Sequence, residues 1–182
     1  MFIDYVTLML VNMAAGLCAL AFFSALSVHK QDNRSWSPVF AIVGFVAVIT
    51  GFVMSFTWPL PYPYNIAFGE LSVLFGFLYL AAAVSLVKSW NLMPICIYAF
   101  FAGLTAVVVG VRFIDLGLSQ TPVFSGTGFM LTGLTGILMP LLLLYKDKKI
   151  IRFLGALLPL SAAFIWAWIG YFAYWFHLAP KN

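Results

Sequence analysis

Three ionisable side chains stand inside long apolar runs: Glu70, Arg112 and Asp115. A carboxylate at membrane depth is costly, and the default reading is a functional group with a partner. A short polar turn near residue 90 separates the stretches that carry Glu70 and Arg112, which lie about twenty residues to either side of it. At about 1.5 Å of helical rise per residue, the two are expected at similar depth in antiparallel helices. Asp115 follows Arg112 by three positions and shares its helix face. The expected arrangement is a polar pair at the outer mouth, Glu70 with Arg112, with Asp115 sharing the guanidinium. It would serve either as an ion pair that fixes helix packing or as a polar ring around a solute path. In the second role Glu70 would sense acid.

No other set of residues points to chemistry. His29 and His177 fall at opposite ends of the fold that the sequence predicts, and Cys18 and Cys96 are isolated in apolar runs. Such residues do not converge as a zinc, copper or haem site, which needs several ligands in one place. No Gly-x-Ser-x-Gly, His-Glu-x-x-His, phosphate-loop or dinucleotide-binding pattern occurs, which argues against a nucleotide-driven pump or a hydrolase of those types. No catalytic residue, metal or cofactor is expected, although an intramembrane enzyme with Glu70 as acid or base remains an alternative. Asn12, Thr50, Ser55, Thr57, Ser85, Thr105, Thr132 and Thr135 place sparse hydrogen-bonding groups within the apolar runs. Most are expected to bond to carbonyls of their own helix, and a minority to line a path.

The elements that must position these residues follow from composition. The chain is 64% hydrophobic and 8% charged, with a mean hydropathy of +1.08. A soluble domain carries about a quarter charged residues, so this chain reads as an all-α integral membrane protein. At about 20 residues per span, the 182 residues accommodate six transmembrane helices in a single bundle with short loops. The spans are expected at about 3–28, 38–57, 66–87, 93–115, 124–145 and 153–178. Pro38 and Pro94 stand at first helical positions, where proline is well placed. Trp58-Pro59 ends the second span, and the loop 58–65, with three alternating prolines, is expected to be extended. The N-terminal stretch lacks a basic leader region and reads as a retained first helix.

Orientation follows from the basic residues. Lys30, Arg34, Lys88, Lys146, Lys148, Lys149 and Arg152, seven of the nine Lys and Arg, fall in the loops after the first, third and fifth spans. That end is expected to face the cytoplasm, which puts both termini, Asp4, Lys181 and the uncharged 58–65 loop outside. The partners implied are the lipid bilayer and no nucleic acid. Small residues mark expected helix contacts: Gly128, Thr132 and Gly136 on one span, Ser72 with Gly76, and Ala99 with Gly103. No repeat between the two halves stands out, although a three-plus-three division fits.

The segment Leu74-Phe75-Gly76-Phe77-Leu78-Tyr79-Leu80-Ala81-Ala82-Ala83, a turn with Trp90, and then Tyr98-Ala99-Phe100-Phe101-Ala102-Gly103 resemble the acid-activated urea-channel and amide-channel family (AmiS/UreI type). The resemblance covers about half the chain. It implies a ring of protomers, six in that family, each with its own aromatic-lined pore. The pore-lining aromatics it implies here are Trp58, Phe75, Tyr79, Trp166 and Trp168. The short, uncharged 58–65 loop departs from the long titratable outer loop of the best-known urea channel. The whole chain more closely resembles a family of uncharacterised small prokaryotic membrane proteins, through Asn65-Ile66-Ala67-Phe68-Gly69-Glu70 and Gly110-Val111-Arg112. The functional expectation is a passive channel for a small neutral polar solute, urea or a short amide. An accessory or scaffolding subunit of a larger membrane complex is the alternative from another class.

Overall fold

The computed structural model describes residues 5–30 and 32–178. Asp4 and Lys181 lie outside the described residues. The described chain is helical throughout, with no strand. Its long helices are α1 (Tyr5–Leu26), α2 (Ser37–Thr57), α4 (Leu71–Lys88), α5 (Met93–Asp115), α6 (Pro122–Leu144) and α7 (Lys149–His177), with a one-turn α3 (Tyr62–Tyr64) ahead of α4. Six spans are long and apolar enough to cross a membrane, the third being the continuous run Tyr62–Lys88. Their make-up marks a multi-pass membrane protein.

Helix ends follow local chemistry. Proline stands in the first turn of α2, α5 and α6, where its missing N–H costs nothing. Helices α2 and α4 end on the left-handed residues Trp58 and Ser89, and Gly117 turns the chain after α5. Two boundaries differ from expectation. The 58–65 loop is not extended to its end, because Pro63 sits within the first turn of α3 and lets helix begin at Tyr62. Between α3 and α4 the chain is a π-helix, Asn65–Glu70, a wide turn that often marks functional sites. Asn65 is fully buried and anchors the preceding loop. Its Oδ1 accepts from the Leu60 N–H at 3.1 Å, and its Nδ2 donates to the Leu60 and Pro61 carbonyls.

The helices pack as three antiparallel hairpins: α2 with α4, α5 with α6, and α7 with α1. Contact between hairpins is lighter, so the six long helices close a ring in the order α1, α2, α4, α5, α6, α7. Glycines set the tight seams. Gly44 lies against the Gly76 carbonyl and Gly51 against that of Gly69. Gly103 faces Gly133, and Gly110 faces Gly126, in the second hairpin. Along each of the four spans the two glycines are seven residues apart, about two turns, so the same device recurs in both hairpins. A Cβ on Gly44 or Gly110 would come within 2.7 Å of the facing carbonyl oxygen. The third hairpin uses Gly170 against Val11. The small-residue set Gly128, Thr132, Gly136 does not form one contact: Gly128 faces Trp166 of α7, whereas Gly136 faces Ala99 of α5.

Candidate functional site

Among the described residues, four cavities lie in series within the ring. The first, of about 340 Å³, opens at the end that carries the 58–65 loop, between Leu60, Tyr64, Phe113 and Ser125. A waist of about 20 Å³ follows, walled by Phe68, Phe75, Phe129 and Trp166, with room for about one water. The central cavity holds about 100 Å³ between Leu17, Phe40, Tyr79, Cys96 and Thr135. The last, about 300 Å³, opens at the basic end beside Lys30, Ser85, Trp90 and Lys146. Neighbouring cavities share walls: Leu10, Phe68 and Trp166 between the first two, Met13, Phe75 and Thr132 between the next two, and Val28, Leu86, Leu92 and Leu143 between the last two. Val6 to Leu26 of α1 follows most of this series, a rise of about 30 Å, comparable with the hydrocarbon thickness of a bilayer.

The waist is held by ring contacts and one hydrogen bond. Phe68, Phe113 and Phe129 pack with centroids 5.2–5.9 Å apart, and Phe129 meets Trp166 edge-on at 4.8 Å. Such pairs contribute about 0.5–1.5 kcal/mol each beyond area burial. The Trp166 indole N–H donates to Thr132 Oγ1 at 2.9 Å, and Thr132 donates to the Gly128 carbonyl. These bonds fix Trp166, which is 2% exposed.

The walls are mostly apolar, but α4 contributes hydroxyls of a distinct kind. Thr50, Thr57, Thr105, Thr127, Thr132 and Thr135 all donate to the carbonyl four residues back. Asn12 instead ties α1 to the Val43 carbonyl of α2, and Ser55 Oγ is buried without a partner. Ser72, Tyr79 and Ser85 are all buried, yet their hydroxyls have no hydrogen-bond partner among the described residues. Each lines a different cavity: Ser72 the waist, Tyr79 the central space and Ser85 the basic end. One helix thus presents three free hydroxyls in sequence along the axis.

The residues singled out from sequence separate in space. Phe75, Tyr79 and Trp166 line the cavities. Trp58 and Trp168 do not: Trp58 is exposed beside Tyr62, and Trp168 is half-exposed among Phe164 and Phe172 on the outer face of α7. Two residues along a helix is about 200° of rotation, so Trp166 facing inward sends Trp168 outward. Glu70 and Arg112 are not paired. Arg112 forms an ion pair with Asp115 on its own helix, and both are exposed. Glu70 is exposed at the end of the π-helix and lines none of the four cavities. An i, i+3 pair needs no reach across helices, and the α4–α5 seam is the loosest in the ring. The inward residue at this depth is Phe113, next to Arg112 and 1% exposed. Phe68, Phe113 and Phe129 were not singled out as pore aromatics, because in helices this apolar on every side no stripe distinguishes the inner face. No group of three or more His, Cys, Asp or Glu among the described residues is placed to hold a metal.

Residues 1–180 match a family profile described as "Protein of unknown function (DUF981)". No curated protein and no solved structure matches the chain, so the comparisons provide no link to the urea and amide channels that the third span resembles.

Proposed function

The chain belongs to the DUF981 family, whose description assigns no activity, and from its geometry we propose that it is a passive membrane facilitator for a small neutral polar solute, urea or a short amide. The observation that supports this reading is the series of four cavities with shared walls along the axis. Aromatic walls at the waist suit a planar solute. Leaving an amide group without hydrogen bonds costs about 2–7 kcal/mol, and the free hydroxyls of Ser72, Tyr79 and Ser85 replace part of the lost water. An ion would lose far more hydration in such walls, which favours neutral solutes. The basic end faces the cytoplasm of a prokaryote and both termini face outward, in accord with the Lys and Arg bias. The copies assemble as a ring, as the resemblance to the urea and amide channels implies.

The narrow waist favours a second reading, a non-catalytic subunit of a larger membrane complex whose protomer stays closed. Solute-driven swelling of proteoliposomes separates the two. Urea, acetamide, glycerol and water are compared at acidic and neutral pH. Entry of urea or acetamide above that of empty liposomes is expected. Folded protein that gives no such entry at either pH excludes the facilitator reading and leaves the subunit.

A further inference from the structure

The cavity at the basic end has a chemistry that a path for neutral solutes does not call for. Lys30 and Lys146 line it together with Asn33, Ser85, Ser89 and Asn91, and no carboxylate does. Neither lysine has an ion pair among the described residues; the pair that forms is Arg112 with Asp115, near the opposite end. Asn33 Oδ1 is buried without a hydrogen-bond partner, while its Nδ2 is occupied by the Lys30 carbonyl at 3.0 Å. The Ser85 hydroxyl is likewise unpartnered in a residue 5% exposed. The cavity therefore offers two uncompensated cations and a free hydroxyl.

We propose that this cavity binds a phosphate-type oxyanion. Lys30 and Lys146 balance its charge, and Ser85 and the Asn91 amide donate to its oxygens. Basic pockets between membrane helices take phosphate head groups on these terms. Two sources share the chemistry: the phosphoglycerol head of an anionic lipid and free hydrogen phosphate. Because the cavity shares Val28, Leu86, Leu92 and Leu143 with the central one, an occupant would also cap the axial series from this end. The proposal stands without the facilitator reading, since it concerns binding alone.

The test uses Ser85→Cys in protein whose two native cysteines are replaced by serine, labelled with a water-soluble maleimide. Labelling is followed in neutral detergent with added inorganic phosphate, and in nanodiscs of phosphatidylglycerol or phosphatidylcholine. Slower labelling with phosphate assigns the free anion. Slower labelling only in phosphatidylglycerol assigns the lipid. Lys30→Gln and Lys146→Gln are each expected to weaken the protection roughly fivefold, from about 1 kcal/mol per basic residue. Lys88→Gln, outside the cavity, is expected to leave it intact. Absence of protection in every arm overturns the proposal, as does an equal loss in Lys88→Gln, which would mean general surface charge. If the cysteine variant does not fold, the unfolding midpoint of the wild-type chain is titrated with the same probes. A rise that the double lysine variant abolishes supports the site, and no rise with any of them overturns it.

Discussion

The seams within the hairpins and the seams between them are built differently. Inside α2–α4 and α5–α6, backbone meets backbone at paired glycines, and a methyl group would find a carbonyl in its place. Between hairpins the helices stand farther apart, and side chains such as Phe68, Phe75, Phe129 and Trp166 bridge the space incompletely. The first kind of seam has no rotamers to adjust and makes each hairpin a rigid stave. The second can repack, because rings and methionines shift where a main chain cannot. The axial cavities lie where the second kind converges.

The largest effect is expected from Gly133→Ala. Its Cβ would lie 2.5 Å from the Gly103 carbonyl oxygen, and overpacking of this kind costs about 3 kcal/mol, the upper part of the usual range. Gly155→Ala meets only the flexible Leu142 side chain and is expected to cost well under half as much. Thermal unfolding midpoints in detergent compare the two, and equal losses would remove the distinction between seams. Asn65→Ala comes next. It strips the Leu60 N–H and the Leu60 and Pro61 carbonyls of their buried partner, at about 2–3 kcal/mol, and faster proteolysis of the 58–61 loop is the accompanying sign.

Thr132→Val is expected to cost about 1–2 kcal/mol by orphaning the Trp166 N–H. It also frees the ring at the waist, so water permeability of proteoliposomes should rise, and an unchanged permeability would show that Trp166 does not limit passage. Glu70→Gln is the smallest. The exposed carboxylate touches neither Arg112 nor a cavity, so neither the unfolding midpoint nor the pH profile of solute entry should move. A changed profile would return Glu70 to the path.

The same contrast explains what could be read from the sequence. Helix count and ends depend on signals that run along the chain: Pro38 and Pro94 in first turns, Trp58-Pro59 at a stop, lysines at loops. Depth is also a linear quantity, and Arg112 and Glu70 do lie toward the same end. Azimuth is not linear. Arg112 and Phe113, or Trp166 and Trp168, differ by one or two positions and face opposite ways, and a helix apolar on all sides carries no stripe to distinguish them. The π-helix at Asn65–Glu70 rotates that face again, which is one reason equal depth does not bring Glu70 to Arg112. The glycine repeat is present in the sequence, but it becomes legible only once α2 is laid against α4 and α5 against α6.

The most direct test of the axial route uses Cys96, which lines the central cavity, and Cys18, which does not. Urea entry into proteoliposomes is measured by stopped flow before and after mercuric ion, a soft metal with high affinity for thiols. The account predicts entry above that of empty liposomes, blocked by mercury in the wild type and in Cys18→Ser but not in Cys96→Ser. Folded protein without urea entry, or a block that follows Cys18 instead of Cys96, would contradict it.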